Sequence, residues 1–370
     1  MLAGPYATML LGDLGATVVK VERPVVGDDT RAWLPPVDPD GQSTYFDSVN
    51  RNKYSIDLDI ALPGDQAIAQ QLAQRADVFV ENFKVGALDK YALGYQQVAA
   101  VNAGIVYCSI SGFGSGAGAE LPGYDILVQA MGGLMSITGT DEPTKAGVAV
   151  VDVLTGLHAT VAILAALRQR DLTGAGQHVE VSLMSTLLSS LVNQASAYAI
   201  AGVVPTLMGN AHPSIAPYEV YPTADRPIVI AVGNDAQFTR MAHAMGAEQM
   251  AADARFATNA LRVANRDALK EQMITLLARH GADHWQQAIG AVGVPCGPVN
   301  DIADAFALAT RLGLEPIVEV DDVRRDGPRQ QVANPVRYSR TPVRYRSAPP
   351  KVGEDRAQVL AMLGLESQTA

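Results

Sequence analysis

Helical and strand-like segments alternate along the first half of the chain, and this alternation limits its possible folds more than any other feature. The sequence predicts a helix over residues 6–14, a β-branched strand over 17–21, a helix over 67–76 and strands over 77–81 and 105–110. Strands that alternate with helices form an open parallel sheet covered by helices on both faces. We therefore predict an α/β fold.

Polar or glycine-rich residues follow the predicted strands directly. They are residues 22–23, 81–83 and 111–113, with Asp152 after a further apolar run. In open α/β sheets, ligands bind beyond the carboxyl ends of the strands. We expect the functional site at this edge of the sheet.

Composition excludes several classes of function. The 28 basic and 38 acidic side chains give a net charge of −10, so a broadly cationic surface for nucleic acid or anionic lipid is not expected. Cys108 and Cys296 are too few for a disulfide framework, and the histidines show no metal-ligand spacing, so we predict no metal site. Without a signal peptide pattern, the sequence indicates a cytoplasmic protein in a reducing compartment.

Residues 146–167 are almost continuously apolar and long enough to cross a bilayer. They contain Asp152 and His158, and a carboxylate near the bilayer centre costs about 2.5–3.5 kcal/mol. We predict instead a buried strand over 146–151, a break at Asp152 and a buried helix towards Arg170, with no membrane partner.

Asp152 admits two interpretations from its local sequence. It suits the N-cap of the following helix, where it would accept hydrogen bonds from the first backbone N–H groups. It equally suits a carboxylate nucleophile that those donors keep unprotonated and apolar neighbours shield from water. Glu22 resembles the acidic residue of dinucleotide sites, but no Gly-x-Gly-x-x-Gly precedes it.

Twelve short motifs follow one another over most of the chain. They are residues 3–5 (AGP), 13–16 (DLGA), 19–23 (VKVER), 52–53 (NK), 55–59 (SIDLD), 81–83 (ENF), 86–89 (GALD), 111–114 (SGFG), 123–125 (GYD), Asp152, 173–177 (TGAGQ) and 293–299 (GVPCGPV). In this order they resemble the class III CoA-transferase family, which includes formyl-CoA transferases and carnitine CoA-transferases.

The resemblance implies a Rossmann-like large domain, a smaller α/β domain and an interlocked homodimer. Applied to this chain, it predicts the large domain over 1–200, a linker over 201–222, the small domain over 223–305, and a return segment with a C-terminal helix over 306–370. The family normally has a strand before residues 3–5, so either the sheet lacks that strand or the true start lies upstream. We expect an upstream extension to raise thermal stability.

The resemblance also implies a reaction and its residues. Asp152 stands at the position of the catalytic aspartate, whose carboxylate takes CoA from an acyl-CoA donor and passes it to a carboxylic acid through an aspartyl-CoA thioester. CoA is then a substrate, not a permanently bound cofactor. Eight residues match positions at the CoA site: Leu2, Ala3, Arg23, Leu58, Asn82, Phe83, Lys90 and Tyr124.

Three alternatives remain open from the sequence. An α-methylacyl-CoA racemase-like epimerase shares the fold, but needs a histidine where this chain has Tyr124, and tyrosine is a poor base near neutral pH. A non-catalytic CoA-binding protein would keep the scaffold without turnover. An NAD-dependent oxidoreductase lacks its glycine fingerprint here.

Overall fold

The computed structural model of the protein describes residues 2–365, which form two compact units. The first unit takes residues 2–134, 145–204 and 315–365. The second takes residues 135–144 and 205–314.

The described residues form ten strands and sixteen α-helices. The strands are β1 (Val18–Glu22), β2 (Lys53–Asp57), β3 (Val78–Glu81), β4 (Val106–Ser111), β5 (Gln177–Ser182), β6 (Tyr218–Tyr221), β7 (Ile228–Ala231), β8 (Cys296–Pro298), β9 (Ile317–Val320) and β10 (Arg329–Val332). The helices are α1 (Ala3–Asp13), α2 (Thr44–Asp47), α3 (Pro63–Arg75), α4 (Tyr95–Val101), α5 (Asp125–Met131), α6 (Leu134–Ile137), α7 (Val150–Thr173), α8 (Leu183–Ser190), α9 (Val192–Ala201), α10 (Asp235–Ala244), α11 (Glu248–Ala252), α12 (Asn259–Ala264), α13 (Arg266–Leu277), α14 (Ala282–Gly290), α15 (Ile302–Arg311) and α16 (Arg356–Met362).

The first unit contains two parallel sheets. β1 pairs with β2, and β3, β4 and β5 pair in that order, all in parallel. A short antiparallel pair, β9 with β10, belongs to the same unit. The prediction of an α/β fold is confirmed, with antiparallel sheets added to the parallel ones.

β4 is buried on both faces, which places it at the centre of its sheet. Val106, Cys108 and Ile110 pack into a core with α1 and α7. The intervening Tyr107 packs into a second core, on the other face, with residues of α3 and α4. Side chains alternate between the faces of a strand, so one run of apolar residues serves both cores.

A buried charge network ties the C-terminal segment to the start of the first unit. Arg51 binds the fully buried Asp13 with both Nε and Nη2, at 2.9 and 2.6 Å. The Asn334 amide donates to the same carboxylate at 3.0 Å. The buried Asp13 carboxylate is therefore fully hydrogen-bonded, and it links residues that are distant in sequence.

The second unit is built on an antiparallel sheet of β6, β7 and β8. For this unit the sequence predicts a strand over 228–232 and helices over 236–245 and 262–280, and the first two are found as β7 and α10. Residues 262–280 are instead divided between two helices, because the backbone of Asn265 leaves the helical region between α12 and α13. β6 lies inside the predicted linker, and the domain boundaries themselves stay a prediction.

The strand predicted over residues 146–151 is wrong. Residues 146–149 form no strand, and α7 already begins at Val150. The N–H of Ala146 is donated to the Gln129 side chain at 2.9 Å instead of a neighbouring strand. α7 has the length and apolar composition of a membrane span, but it packs into the core against α1 and α8.

Candidate active site

Asp152 lies in the first turn of α7, and a carboxylate from another helix caps that turn. Asp125, the first residue of α5, accepts the N–H groups of Val151 and Asp152 on Oδ1, at 2.9 and 3.1 Å. The N-cap residue, Ala149, makes no side-chain capping bond. The interpretation of Asp152 as the cap is therefore wrong, and its own carboxylate is left for another role.

Asp152 is not kept unprotonated in the manner expected from the sequence. Burial raises its pKa, and the negative charge of Asp125 raises it further, to about 6. The backbone donors that were expected to lower the pKa bind Asp125 instead. At neutral pH the group is ionised but more basic than an ordinary aspartate, which favours its use as a nucleophile.

A cavity of about 2190 Å³ inside the first unit brings Asp152 together with most of the predicted CoA-site residues. Those on its lining are Leu2, Ala3, Arg23, Asn82, Phe83 and Tyr124. Strands β1 and β3 line it as well, and each pairs on one side only within the described residues. The cavity is larger than the roughly 300–1,000 Å³ of ordinary ligand pockets, so it accommodates an extended ligand.

The start of α1 packs directly on α7 beside Asp152. A Cβ atom on Gly156 would lie 2.7 Å from the carbonyl oxygen of Ala3, so only glycine allows this approach. No side chain caps the start of α1, and the first N–H groups of a helix have no partner within the helix. The buried Leu2 side chain is apolar and offers no hydrogen bond of its own.

Arg23 and Glu22 at the end of β1 have different surroundings. Arg23 is exposed and forms an ion pair with the exposed Asp29, so an anionic ligand can compete for it. Glu22 is buried and holds Arg31 through both carboxylate oxygens, at 2.8 and 2.7 Å, while Ser55 donates to it at 2.7 Å. Glu22 is thus occupied and unavailable to a ribose, which removes its resemblance to a dinucleotide site.

Two exposed aromatic rings face this cavity from different loops. Phe83 follows β3, and its N–H donates to Glu81 Oε2 at 2.8 Å. Tyr124 immediately precedes α5 and therefore adjoins Asp125. Both side chains are more than half exposed, so their faces are open to a ligand.

The structure does not bring Leu58 and Lys90 to this cavity. Leu58 is buried in the core of α3 and α4, and its N–H donates to the Glu22 carbonyl at 2.8 Å. Lys90 lies in a short 3₁₀ helix, Asp89–Tyr91, with Nζ 4.7 Å from the centre of the Tyr91 ring. Their contact with CoA stays a prediction.

Sequence reasoning missed Tyr45 and the capping role of Asp125. Tyr45 lines the cavity, and burial together with the charges of Asp152 and Asp125 raises the pKa of its hydroxyl. Trp33, also on the lining, packs edge-on against Tyr45 at 4.8 Å. Tyr45 lies in the four-residue helix α2, and Trp33 lies in the loop before it; both stretches are too short to show a periodic pattern, so no sequence signal pointed to them. Between residues 2 and 365, no group of three His, Cys, Asp or Glu side chains is placed to hold a metal ion.

Comparison with known proteins gives consistent matches over the whole chain. The model of CoA-transferase family III matches residues 1–356. The chain is 42% identical to the succinate–glutarate CoA-transferase of Agrobacterium fabrum, covering 100% of this chain and 94% of that protein. It is 38% identical to the acetyl-CoA:oxalate CoA-transferase of Acetobacter aceti, covering 92% and 86%. The crystal structure of a CaiB/BaiF family protein from Brucella suis matches with a TM-score of 0.88 and 41% identity, covering 98% and 96%.

Proposed function

The chain belongs to CoA-transferase family III, and from this premise we propose that it transfers CoA from an acyl-CoA to a carboxylic acid through an aspartyl-CoA thioester on Asp152. The resemblance predicted from the sequence is confirmed by the family match. The observation that carries the proposed chemistry is the partly buried carboxylate of Asp152 on the wall of the large cavity. This carboxylate is not used to cap α7, because Asp125 does so.

The reaction proceeds by four acyl transfers. An Asp152 oxygen attacks the thioester carbonyl of the donor, the C–S bond breaks, and CoA thiolate leaves a mixed anhydride. The thiolate attacks the Asp152 carbonyl, which releases the donor acid and forms the enzyme thioester. The acceptor carboxylate then attacks this thioester, whose C–S bond breaks to give a second mixed anhydride and CoA thiolate. The thiolate attacks the acceptor carbonyl of that anhydride, which forms the new acyl-CoA and restores the Asp152 carboxylate. In each step the reacting groups are held together in one site, so the reaction avoids the slow exchange between a free carboxylate and a free thioester in water.

The surroundings of Asp152 suit this chemistry. Asp152 is itself partly buried, which limits the water that would hydrolyse an anhydride formed on it. The raised pKa of about 6 gives the carboxylate more nucleophilic character while leaving it ionised at neutral pH. Backbone N–H groups at the uncapped start of α1 would stabilise the oxyanion that develops on the attacked carbonyl.

CoA would extend through the cavity from Asp152. Leu2, Ala3 and Tyr124 would contact its thioester end, and Asn82 and Phe83 its middle part, since all five line the cavity. Arg23 would leave its ion pair with Asp29 and bind a phosphate group of CoA. Leu58 and Lys90 are the weaker assignments, because neither reaches the cavity wall.

At least one of the exchanged acids would be a short dicarboxylate. One relative described above is named for succinate and glutarate, and the other for acetyl-CoA and oxalate, so each name includes a dicarboxylate. The chemistry at Asp152 would remain formyl-CoA transferase-like, with dicarboxylic acids in place of formate.

We extend the proposal to the fold and the assembly. The parallel strands of the first unit support a Rossmann-like domain, and the two compact units support the predicted large and small domains. α7 exposes Leu157, Val161 and Leu164 on one face, which supports burial against a second copy in a soluble, cytoplasmic homodimer.

The proposal is tested by chromatographic assay of transfer from succinyl-CoA. Purified protein is given glutarate, oxalate, formate or butyrate as acceptor, with Asp152→Ala in parallel. We expect a new acyl-CoA with a dicarboxylate and none with the variant. Transfer that survives Asp152→Ala, or epimerisation of a 2-methylacyl-CoA without transfer, would contradict the proposal.

A further inference from the structure

A hydrogen-bonded row of three polar side chains crosses the sheet of β3, β4 and β5. In the strand register Glu81 lies beside Ser109, and His178 lies beside Tyr107. Ser109 Oγ is 2.9 Å from His178 Nε2, and Ser109 is also the direct cross-strand neighbour of Glu81, where its hydroxyl acts to lower the pKa of the Glu81 carboxyl. We call Glu81, Ser109 and His178 the Glu81 relay.

One arrangement of protons satisfies the relay. Burial raises the pKa of Glu81, and the hydrogen bond with Ser109 acts in the opposite direction, as a bond donated to the carboxylate does. A serine hydroxyl has a single proton to donate, so its oxygen must accept from His178. His178 is thus assigned a proton on Nε2.

This arrangement differs from that of a serine hydrolase. In a hydrolytic triad the serine donates to the imidazole, and the carboxylate binds the far ring nitrogen. In the relay the serine donates to the carboxylate, so its oxygen is not activated for attack. Ser109 is also absent from the lining of the cavity.

Aromatic rings fix the orientation of His178. Tyr95 of α4 stacks on the imidazole with ring centres 4.7 Å apart. Tyr107 meets the imidazole edge-on at 5.5 Å. With the ring held on two sides, its Nε2 is kept aimed at Ser109.

The relay ends on the backbone of the loop that lines the cavity. Glu81 Oε2 accepts the N–H of Phe83 at 2.8 Å, and Glu81, Asn82 and Phe83 all lie on the cavity wall. Two donors fix the position of this carboxylate: the Phe83 N–H from the loop and the Ser109 hydroxyl from behind the wall. The relay therefore supplies the second of these donors.

We propose that His178 is a positioning residue for the CoA site: through Ser109 it holds Glu81, and Glu81 holds Phe83 in the conformation that receives CoA. This inference rests on the proposed function, because it takes the ligand of the cavity to be CoA. His178 itself touches neither the ligand nor Asp152 in this account.

Calorimetric titration with CoA tests the proposal. His178→Phe keeps a ring on Tyr95 but removes the donor, and we expect it to weaken CoA binding about tenfold. His178→Gln keeps an Nε2 donor, so it should restore binding to within about threefold of the natural protein. Gln177→Ala, an exposed change on the same strand opposite Val106 and not opposite a relay residue, is the matched control and should leave the Kd unchanged.

The outcomes separate this inference from the proposed function. If the natural protein does not bind CoA, the proposed function fails and this inference with it. If it binds CoA and folded His178→Phe binds equally well, this inference alone is overturned. Ser109→Ala breaks the same relay at its centre, so it decides the question should His178→Phe not fold. Weakened binding supports the relay, and unchanged binding refutes it.

Discussion

Burial and the negative charge of Asp125 both raise the pKa of Asp152, but only the burial can be inferred from the sequence. Its burial follows from its apolar neighbours, which are visible in the sequence. The charge of Asp125 acts on it only because folding brings the start of α5 to the start of α7. A neighbouring charge of like sign raises the pKa of a carboxylic acid, so this part of the Asp152 shift exists only in the folded protein.

Asp125→Asn separates these two causes. The amide oxygen still accepts the N–H groups of Val151 and Asp152, so α7 stays capped while the charge is lost. Because the ionised carboxylate is the nucleophile, succinate release from succinyl-CoA should rise with pH through the pKa of Asp152, with a midpoint near the native value of about 6. We expect a lower midpoint in the variant when release is followed in a single turnover. An unchanged midpoint would show that burial alone sets the pKa.

Asp152 also destabilises the fold, in a manner that depends on pH. Its pKa is raised in the native protein, so ionisation costs stability as the pH rises through the native value of about 6. Below the unfolded value of about 4 the group is protonated in both states and the cost disappears. Asp152→Asn should therefore raise the free energy of unfolding by about 1–3 kcal/mol at pH 8 and change it little at pH 4. Urea titrations at both pH values measure this, and lower stability of the variant at pH 8 would contradict it.

At the scale of the elements, the contact between α1 and α7 holds the site together. Gly156→Ala would ordinarily strengthen a helix, by about 1 kcal/mol. Here the new Cβ would lie 2.7 Å from the Ala3 carbonyl, and backbone has to move. We expect a lower melting temperature and slower CoA transfer, measured by circular dichroism and by the succinyl-CoA assay.

Gly64→Ala is the matched control for this change. Gly64 lies in α3, with nothing within 4 Å of the position its Cβ would take. That variant should melt at the same temperature as the natural protein or slightly higher. Equal behaviour of the two variants would contradict the close packing of α1 on α7.

Elements with a clear local pattern were predictable, whereas elements decided by a distant partner were not. The β-branched runs at β1, β3 and β4 were predicted within one or two residues, and so was the helix α10. Residues 146–151 form an apolar run that suits a strand or a buried helix equally, and their hydrogen-bond partners on α5 decide the outcome. The weakly polar stretch after residue 183 predicts one long helix to about residue 201, but it divides into α8 and α9, and Val192 at the junction has a positive φ of 43°.

The same distinction applies to the site. Asp152, Arg23 and Phe83 were predictable because they follow strands or match family motifs. Tyr45 and Trp33 were not, since only the fold brings the short helix α2 and the loop before it to the cavity. Leu58 was matched to the CoA channel by motif alone, and the structure buries it in the core.

At the scale of the whole molecule, the exposed apolar face of α7 supports the proposed homodimer. Leu157, Val161 and Leu164 are spaced along one side of this helix, and Val161 is 67% exposed. We expect light scattering after size-exclusion chromatography to give about 78 kDa, twice the chain mass of 39.0 kDa. Val161→Glu should lower that mass if the face is buried between copies. A natural protein that elutes at the mass of a single chain would contradict the homodimer.

The central claim is that Asp152 carries CoA covalently during turnover. Intact-protein mass spectrometry after mixing with succinyl-CoA, without an acceptor acid, tests it most directly. We predict an adduct with the mass of CoA less one water on the natural protein, removable by hydroxylamine, and none on Asp152→Asn. An identical adduct on both proteins, or transfer to glutarate by the natural protein with no adduct trapped under any condition, would contradict the account.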